Sequence, residues 1–148
     1  MKEEPDSPVE LKVRALRFLA RREHSRAELE RKLEPHAAST EILQGVLGEL
    51  EGRKLLSNHR FAEGRTRVLA RKYGAAKIRQ DLRARGVDDA TISRLAPEDE
   101  LGRARSILER KYREPATTRE ERAKRSRFLQ SRGFSYEIIS KLLSSRAE

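Results

Sequence analysis

The amino-acid sequence predicts an all-α protein, an elongated array of three tandem three-helix repeats. Residues that favour helices (Leu, Ala, Arg, Lys and Glu) are abundant, and only five prolines interrupt them. Charged residues make up 39% of the 148 residues and hydrophobic residues 36%. This ratio leaves a thin hydrophobic core and favours an elongated body over a compact sphere.

An internal repeat sets the number of units. The segment DLRARGVDDATISRL at 81–95 aligns with FLQSRGFSYEIISKL at 128–142, and a weaker copy lies at 33–46. Self-similarity at a fixed spacing is typical of repeat architectures. We therefore predict a disordered acidic tail at residues 1–10 and then three three-helix repeats, at residues 11–56, 57–97 and 98–148.

The first repeat shows its three helices most clearly. Apolar residues recur at helical spacing from Leu11 to Leu19 and form one stripe. Ser25 and Glu28 form a capping box that starts the second helix. Ser39 is placed to cap a third helix, whose apolar positions lie between residues 42 and 50.

The second repeat begins at Asn58, followed by a helix expected to bury Phe61, Ala62, Val68 and Leu69. Gly74 is expected to break that helix, and the next helix carries its inner face at residues 78 and 82.

Gly86 and Gly133 are predicted to end the second helices of repeats two and three with a positive φ, which glycine tolerates best. An apolar residue after each glycine and an isoleucine five positions further on form a hydrophobic staple around a polar cap. The third repeat is longer than the second before its glycine. We expect its second helix to be longer and to start at Thr118, in a capping box with Glu121.

Basic residues follow the helices in a regular pattern. LARR, LARK and LERK, starting at Leu19, Leu69 and Leu108, each place two basic residues behind a leucine. The first basic residue should face outward and the second should flank the core. Outward stripes are expected at residues 14, 17 and 21, at 60, 67 and 71, and at 79 and 83. A simpler interpretation is that these side chains only bond the last carbonyls of their helices.

The formal net charge of +10 is concentrated in the middle of the chain, since residues 57–96 contain ten basic and four acidic residues (+6). A surface of this kind attracts polyanions or an acidic protein. The predicted partner-binding residues are Arg17, Arg21, Arg67, Arg71, Lys72, Arg79, Arg83, Arg85 and Arg132.

Several kinds of chemistry are not expected. The chain has no cysteine, so it has no disulfide or thiolate metal site, which fits a reducing cytoplasm. No apolar run is long enough to cross a membrane, and no signal peptide is present. His24, His36 and His59 lack metal-ligand spacing and are expected to be solvated or in turns. No phosphate-binding glycine loop occurs. We expect no cofactor, no enzymatic activity and a monomer.

Two segments, LSNHRFAEGRTRVLARKYGAAKIRQDLRARGV at 56–87 and FLQSRGFSYEIISKLL at 128–143, resemble the RecX family of regulators of the bacterial RecA recombinase. The family usually carries an acid where this chain has Asn58, and we expect the asparagine to cap the helix in its place. The resemblance implies a curved protein that lodges in the groove of RecA filaments on DNA. There it would block filament extension and inhibit the recombinase, ATPase and co-protease activities, and so regulate DNA repair and the SOS response.

Two alternatives stay open from the residues alone. The chain could be a stand-alone basic helical module that binds DNA or RNA, or a helical scaffold whose charges only keep it in solution. The seven aromatic residues fit mainly core positions, apart from Tyr73, Tyr112 and Tyr136. Any contact with nucleic acid should therefore be directed at phosphates, independent of base sequence and sensitive to salt.

Overall fold

A computed structural model describes residues 4–144, and within that range the chain forms nine α-helices and no β-strand. The helices fall into three sets of three, which confirms the predicted all-α class and the three-helix repeats. They are α1 (Pro8–Arg21), α2 (Arg26–Leu33), α3 (Thr40–Gly52), α4 (Asn58–Leu69), α5 (Ala75–Ala84), α6 (Asp89–Arg94), α7 (Glu100–Lys111), α8 (Arg119–Ser131) and α9 (Tyr136–Ser144). A short 3-10 turn, Glu34–His36, follows α2.

The first helix starts inside the segment that we expected to be disordered. Ser7 caps α1 in a capping box with Glu10, and Asp6 forms an ion pair with Arg14 at 2.7 Å. The prediction of disorder is therefore wrong for the described residues of the 1–10 segment. The same ion pair removes Arg14 from the outward basic stripe, because the guanidinium lies against the chain's own N-terminal turn.

The helices divide into two compact units. The first unit contains residues 4–63 and 83–91, and the second contains residues 64–82 and 92–144. Each helix of the second repeat contributes residues to both units.

The core of the first unit comes from α1, α2 and α3. Leucines dominate it, and five of them have no exposed surface. The buried residues are Leu11, Ala15, Leu29, Leu33, Leu43, Val46, Leu47, Leu50 and Leu56. Leu19, the leucine of LARR, packs against this cluster.

The core of the second unit comes from α7, α8 and α9. Its buried residues are Ala104, Ile107, Leu129, Phe134, Ile139 and Leu142. Leu108, the leucine of LERK, packs against it. The leucines of the first and third copies of the pattern therefore occupy equivalent places in their own repeats.

The predicted helix boundaries are confirmed where capping residues and glycines set them. The side chains of Ser25, Ser39 and Thr118 each accept a hydrogen bond from the backbone N–H three residues ahead. Gly86 and Gly133 have φ values of 86° and 93°. The longer second helix of the third repeat is confirmed as well, since α8 has 13 residues and α5 has 10.

Two expectations for α4 are wrong. Ser57 caps this helix, because its hydroxyl accepts the N–H of Arg60 at 3.1 Å. The side chain of Asn58 instead accepts the N–H of Arg26, the first residue of α2, at 2.8 Å. Val68, expected to be buried, is 61% exposed. Helical spacing identifies the face on which a residue lies, but not whether another element covers that part of the face.

Candidate partner-binding surface

Six of the nine predicted binding residues are exposed cations whose side chains make no hydrogen bond or ion pair with any residue in the 4–144 range. Two of them lie on α1 in the first unit, and the other four lie in the second unit. They are Arg17, Arg21, Arg67, Arg71, Lys72 and Arg79.

A turn after α4 explains why Arg71 and Lys72 are unpaired. The backbone carbonyls of Arg71, Lys72 and Tyr73 each accept a hydrogen bond from an arginine of another segment. The donors are, in that order, Arg110, Arg132 at 3.2 Å and Arg103 at 3.4 Å. The carbonyls of Thr66, Val68 and Leu69 at the end of α4 accept backbone N–H groups of residues 70–73. The side chains of Arg71 and Lys72 are therefore not needed for capping and remain available for a partner.

The same turn borders an open groove in the second unit. The groove has a volume of about 680 Å³, and Arg71, Arg103 and Arg110 line it together with Asp99 and Glu109. Three guanidinium groups face two carboxylates, so the groove is a positively charged concave surface. It offers an acidic partner a place beside the unpaired Arg71.

Arg132, by contrast, is engaged within the second unit. Besides its bond to the Lys72 carbonyl, its guanidinium lies 5.5 Å from the centre of the Tyr73 ring and 5.0 Å from that of Phe128. Contacts of this kind are cation–π interactions. The structure thus places Arg132 in the packing of its own unit rather than among the unpaired cations.

Arg85 is engaged within the first unit. Its Nη1 donates to Glu28 Oε2 at 2.8 Å, and its carbonyl accepts the Ser25 hydroxyl at 2.6 Å. Burial works to raise the pKa of Glu28, but hydrogen bonds from Arg22, the Ser25 amide and Arg85 outweigh it and hold this pKa below its ordinary value. Arg85 therefore stabilises a buried carboxylate.

Arg83 is intermediate between these two classes. Its Nε lies 2.8 Å from Asp89 Oδ1, but the two side chains are 58% and 75% exposed. An ion pair this exposed is worth only about 0–1 kcal/mol. Arg83 can therefore exchange Asp89 for a carboxylate or phosphate of a partner at little cost.

The third repeat carries unpaired cations that were not predicted. Arg119, Lys124 and Arg127 on α8 are exposed and have no ionic partner among the described residues. Their sequence, within REERAKRSR, was interpreted as a capping box and extra helix length. A helical projection from Arg119 places these three residues within about 140° of each other, and it would have shown a basic face.

The tyrosines at the ends of α4 and α7 are covered by cations. Lys77 and Arg132 lie over Tyr73, and Arg125 lies over Tyr112 with its guanidinium carbon 4.5 Å from the ring centre. Each of these two rings therefore already has a cation against it. Tyr136 is 78% exposed, so of the three expected tyrosines it is the one whose side chain is largely open to solvent.

His24 is a turn histidine, which is one of the two expected settings, but it is buried and not solvated. It lies in the α1–α2 turn with 1% of its surface exposed. Its Nδ1 is 3.0 Å from the Arg22 carbonyl, and its Nε2 is 2.8 Å from Lys32 Nζ. Burial lowers the pKa of His24, and the nearby Arg22 and Lys32 charges act in the same direction. Lys32 Nζ donates, so the neutral ring accepts at Nε2.

Over residues 4–144 no group of three or more His, Cys, Asp or Glu side chains is arranged to hold a metal ion. In the same range no helix has the length and apolar character needed to cross a bilayer.

Comparison with known proteins gives consistent matches along the chain. Three family models match: "RecX, first three-helix domain" at residues 12–50, "RecX, second three-helix domain" at 57–94 and "RecX, third three-helix domain" at 98–143. Regulatory protein RecX of Ralstonia nicotianae is 42% identical over 142 residues, which cover 94% of this chain and 89% of that protein. Regulatory protein RecX of Neisseria gonorrhoeae is 38% identical over 135 residues, with 90% and 88% covered.

The solved structures show the same fold. The crystal structure of RecX from Lactobacillus salivarius matches with a TM-score of 0.81 over 93% of this chain and 95% of that chain, at 20% identity. A second crystal structure, described as regulatory protein RecX, matches with a TM-score of 0.73 over 93% of this chain and 75% of that chain.

Proposed function

The chain belongs to the RecX family of regulatory proteins, and from this premise we propose that it is a non-enzymatic modulator of RecA. It binds RecA filaments on DNA, blocks their extension and inhibits the recombinase, ATPase and co-protease activities. Through this inhibition it regulates DNA repair and the SOS response.

The unpaired cations of the second unit are the observation that supports a binding role most directly. Arg67, Arg71, Lys72 and Arg79 are exposed and have no ionic partner among the described residues. A guanidinium can donate two parallel hydrogen bonds to a carboxylate or a phosphate. These four residues therefore contact acidic surface of RecA or the adjoining DNA phosphates.

The titratable groups support a role without catalysis. The pKa lies below its ordinary value at the carboxyl groups of Asp6, Glu28, Glu49 and Glu121. The pKa of Asp6 falls because Arg14 donates to it, that of Glu49 because Lys12 does, and that of Glu121 because the Thr117 and Thr118 hydroxyls do. A general acid at neutral pH needs a raised pKa instead.

The direct test is ATP hydrolysis by RecA on single-stranded DNA, with this protein added after the filaments have formed. We expect the rate to fall as the protein concentration rises, because blocked extension leads to net disassembly. An undiminished rate over a wide range of concentrations would contradict the proposed function.

The proposed surface is tested by reversing charge at two unpaired positions. Arg71→Glu combined with Arg79→Glu should weaken the inhibition by at least about tenfold in concentration, because two attractive contacts become repulsive. Arg31→Glu combined with Lys54→Glu is the matched control, since both side chains are exposed and unpaired but lie outside the predicted set and outside α8. Equal loss in the two variants would show that net charge matters and the position of the charge does not.

A further inference from the structure

The third repeat contains a partly enclosed cavity that lies apart from the surface described above. It has a volume of about 260 Å³ and is bordered by α7, the loop before α8, α8 itself and the end of α9. All of its lining residues belong to the second unit. The apolar part of the lining includes Leu108, Pro115, Leu142 and Leu143.

Four arginines line the same cavity. Arg105, Arg113 and Arg122 are exposed and have no ionic partner among residues 4–144. The fourth, Arg125, is 92% buried. Glu109 and Glu114 also line the cavity, so the formal charge of its lining is +2 from four cations and two anions.

Arg125 is an unusual group to bury. Its guanidinium lies over the ring of Tyr112, and its nearest carboxylate oxygen, on Glu121, is 3.9 Å away. That distance is too long for a hydrogen bond. The Arg125 side chain makes no hydrogen bond to any described residue, although a guanidinium has five N–H donors. Its nitrogens are not among the fully buried side-chain atoms that lack a hydrogen-bond partner, so they are open to the cavity and can donate to a group that enters it.

The size of the cavity limits what that partner can be. Cavities that enclose drug-sized ligands measure roughly 300–1,000 Å³, so this one accepts one or two side chains rather than a nucleotide. A phosphodiester group is flanked by a sugar on each side, and the cavity has no room for these sugars. A carboxylate at the end of a side chain can enter such a space and meet the planar fork of the guanidinium.

We propose that this cavity binds an acidic peptide segment of a partner protein, in which an Asp or Glu side chain lies next to a large apolar residue. The carboxylate accepts two parallel N–H bonds from Arg125, and the apolar side chain packs on Leu142 and Leu143. The three exposed arginines at the mouth attract the segment electrostatically. This proposal holds whether or not the partner protein is RecA.

The probe for this site is a short peptide, N-acetyl-Leu-Glu-Leu amide, titrated into the ¹⁵N-labelled full chain. Saturable chemical-shift changes are expected at the Ala116 and Leu143 amides and at the Arg125 side-chain Nε–H. N-acetyl-Leu-Gln-Leu amide has the same shape without the charge. Its apparent affinity, measured from the same shift changes, should be at least about tenfold lower. Equal responses to the two peptides, or no change at the cavity, would overturn the proposal.

Two variants separate binding from folding. Arg125→Met should lower the affinity for the glutamate peptide by about tenfold or more and leave the melting temperature unchanged or higher, because methionine avoids the cost of a buried charge. Arg127→Met, an exposed position on the same helix outside the cavity, should alter neither quantity. A lower melting temperature with unchanged peptide affinity would assign Arg125 a purely structural role and overturn the proposal.

Displacement of the peptide by an equal concentration of oligo-dT would also overturn the proposal, because the ligand would then be nucleic acid.

Discussion

Arginine side chains in this protein occupy two environments that the sequence does not distinguish. Arg71 is exposed and unpaired, whereas Arg85 and Arg132 bond groups of their own unit. Each of the three follows a leucine by two or three residues. The difference arises from what lies opposite each side chain, a buried carboxylate for Arg85 and the carbonyl of Lys72, in the turn after α4, for Arg132. That information is not local in sequence, which explains why the prediction included all three.

Removing these arginines should affect stability unequally. Arg85→Ala leaves the buried Glu28 with one fewer donor, so it should lower the free energy of unfolding by roughly 1–3 kcal/mol, towards the lower end because the Arg85 side chain is 33% exposed. Arg71→Ala should change it by no more than about 0.5 kcal/mol. Urea unfolding followed by circular dichroism measures both. Equal losses of stability in the two variants would show that the Arg71 side chain is not exposed and unpaired in solution.

Buried His24 should make stability depend on pH near neutrality. Because the folded-state pKa is lowered, the unfolded chain takes up a proton first as the pH falls below about 6.5. Stability is therefore full above the unfolded-state pKa and is lost as the pH falls from there towards the folded-state pKa. The carboxyl groups with lowered pKa values, such as Glu28, act only below about pH 4.5.

The measurement is the melting temperature at about pH 7.5 and about pH 5.5. The wild-type chain should melt lower at the acidic pH, and His24→Gln should reduce that difference because it removes the titrating group. His59→Gln, at an exposed position, is the control and should retain the wild-type difference. An unchanged difference in His24→Gln would assign the pH dependence to another group.

At the scale of single elements, the sequence specified most helix ends. Caps such as Ser25 and glycines such as Gly133 act through the backbone within a few residues, so their pattern is readable locally. The start of α4 was assigned one residue too late. Ser57 and Asn58 are adjacent polar residues that can both cap, and Asn58 instead bonds the start of α2. A contact across 32 residues decides between them, and local patterns do not contain it.

Substitution by alanine should have opposite effects at Gly133, which has a positive φ, and at Gly45, which lies inside a helix. Gly133 has a φ of 93°, and a Cβ there would lie 2.6 Å from Lys77 Cβ and 2.7 Å from the Lys77 backbone nitrogen. Gly133→Ala should therefore destabilise the protein by about 2–5 kcal/mol, from the left-handed conformation and the overlap together. Gly45, inside α3, has no neighbouring atom within 4 Å of the same position.

For this reason Gly45→Ala is the matched control for Gly133→Ala. It should raise the free energy of unfolding by about 0.5–1 kcal/mol, because alanine loses less backbone entropy in a helix. The open space around Gly45 shows that it does not serve in packing. A destabilised Gly45→Ala, or a neutral Gly133→Ala, would contradict these assignments.

For the whole molecule, the sequence predicted the fold class and the concentration of positive charge but not the complete set of unpaired cations. The repeat and the excess of basic residues each depend on many positions, so a wrong interpretation of one residue does not change either conclusion. The binding surface depends on which cations find internal partners. The structure leaves Arg67 and Arg79, two of the predicted outward cations, exposed and unpaired, and it adds Arg119 and Arg127 on α8.

The salt dependence of DNA binding tests how this basic surface is used and separates the proposed function from a stand-alone nucleic-acid module. The slope of log K against log salt for oligo-dT should fall by about 0.7 for each phosphate contact that is removed. If all three arginines contact phosphates, the triple variant Arg67→Gln, Arg71→Gln, Arg79→Gln should therefore reduce the slope by about 2. The protein should bind mixed-sequence single-stranded DNA with the same affinity as oligo-dT, because no base is read. An unchanged slope together with lost inhibition of RecA would show that the three arginines contact the protein partner. An unchanged slope with unchanged inhibition would show that they contact neither DNA nor RecA.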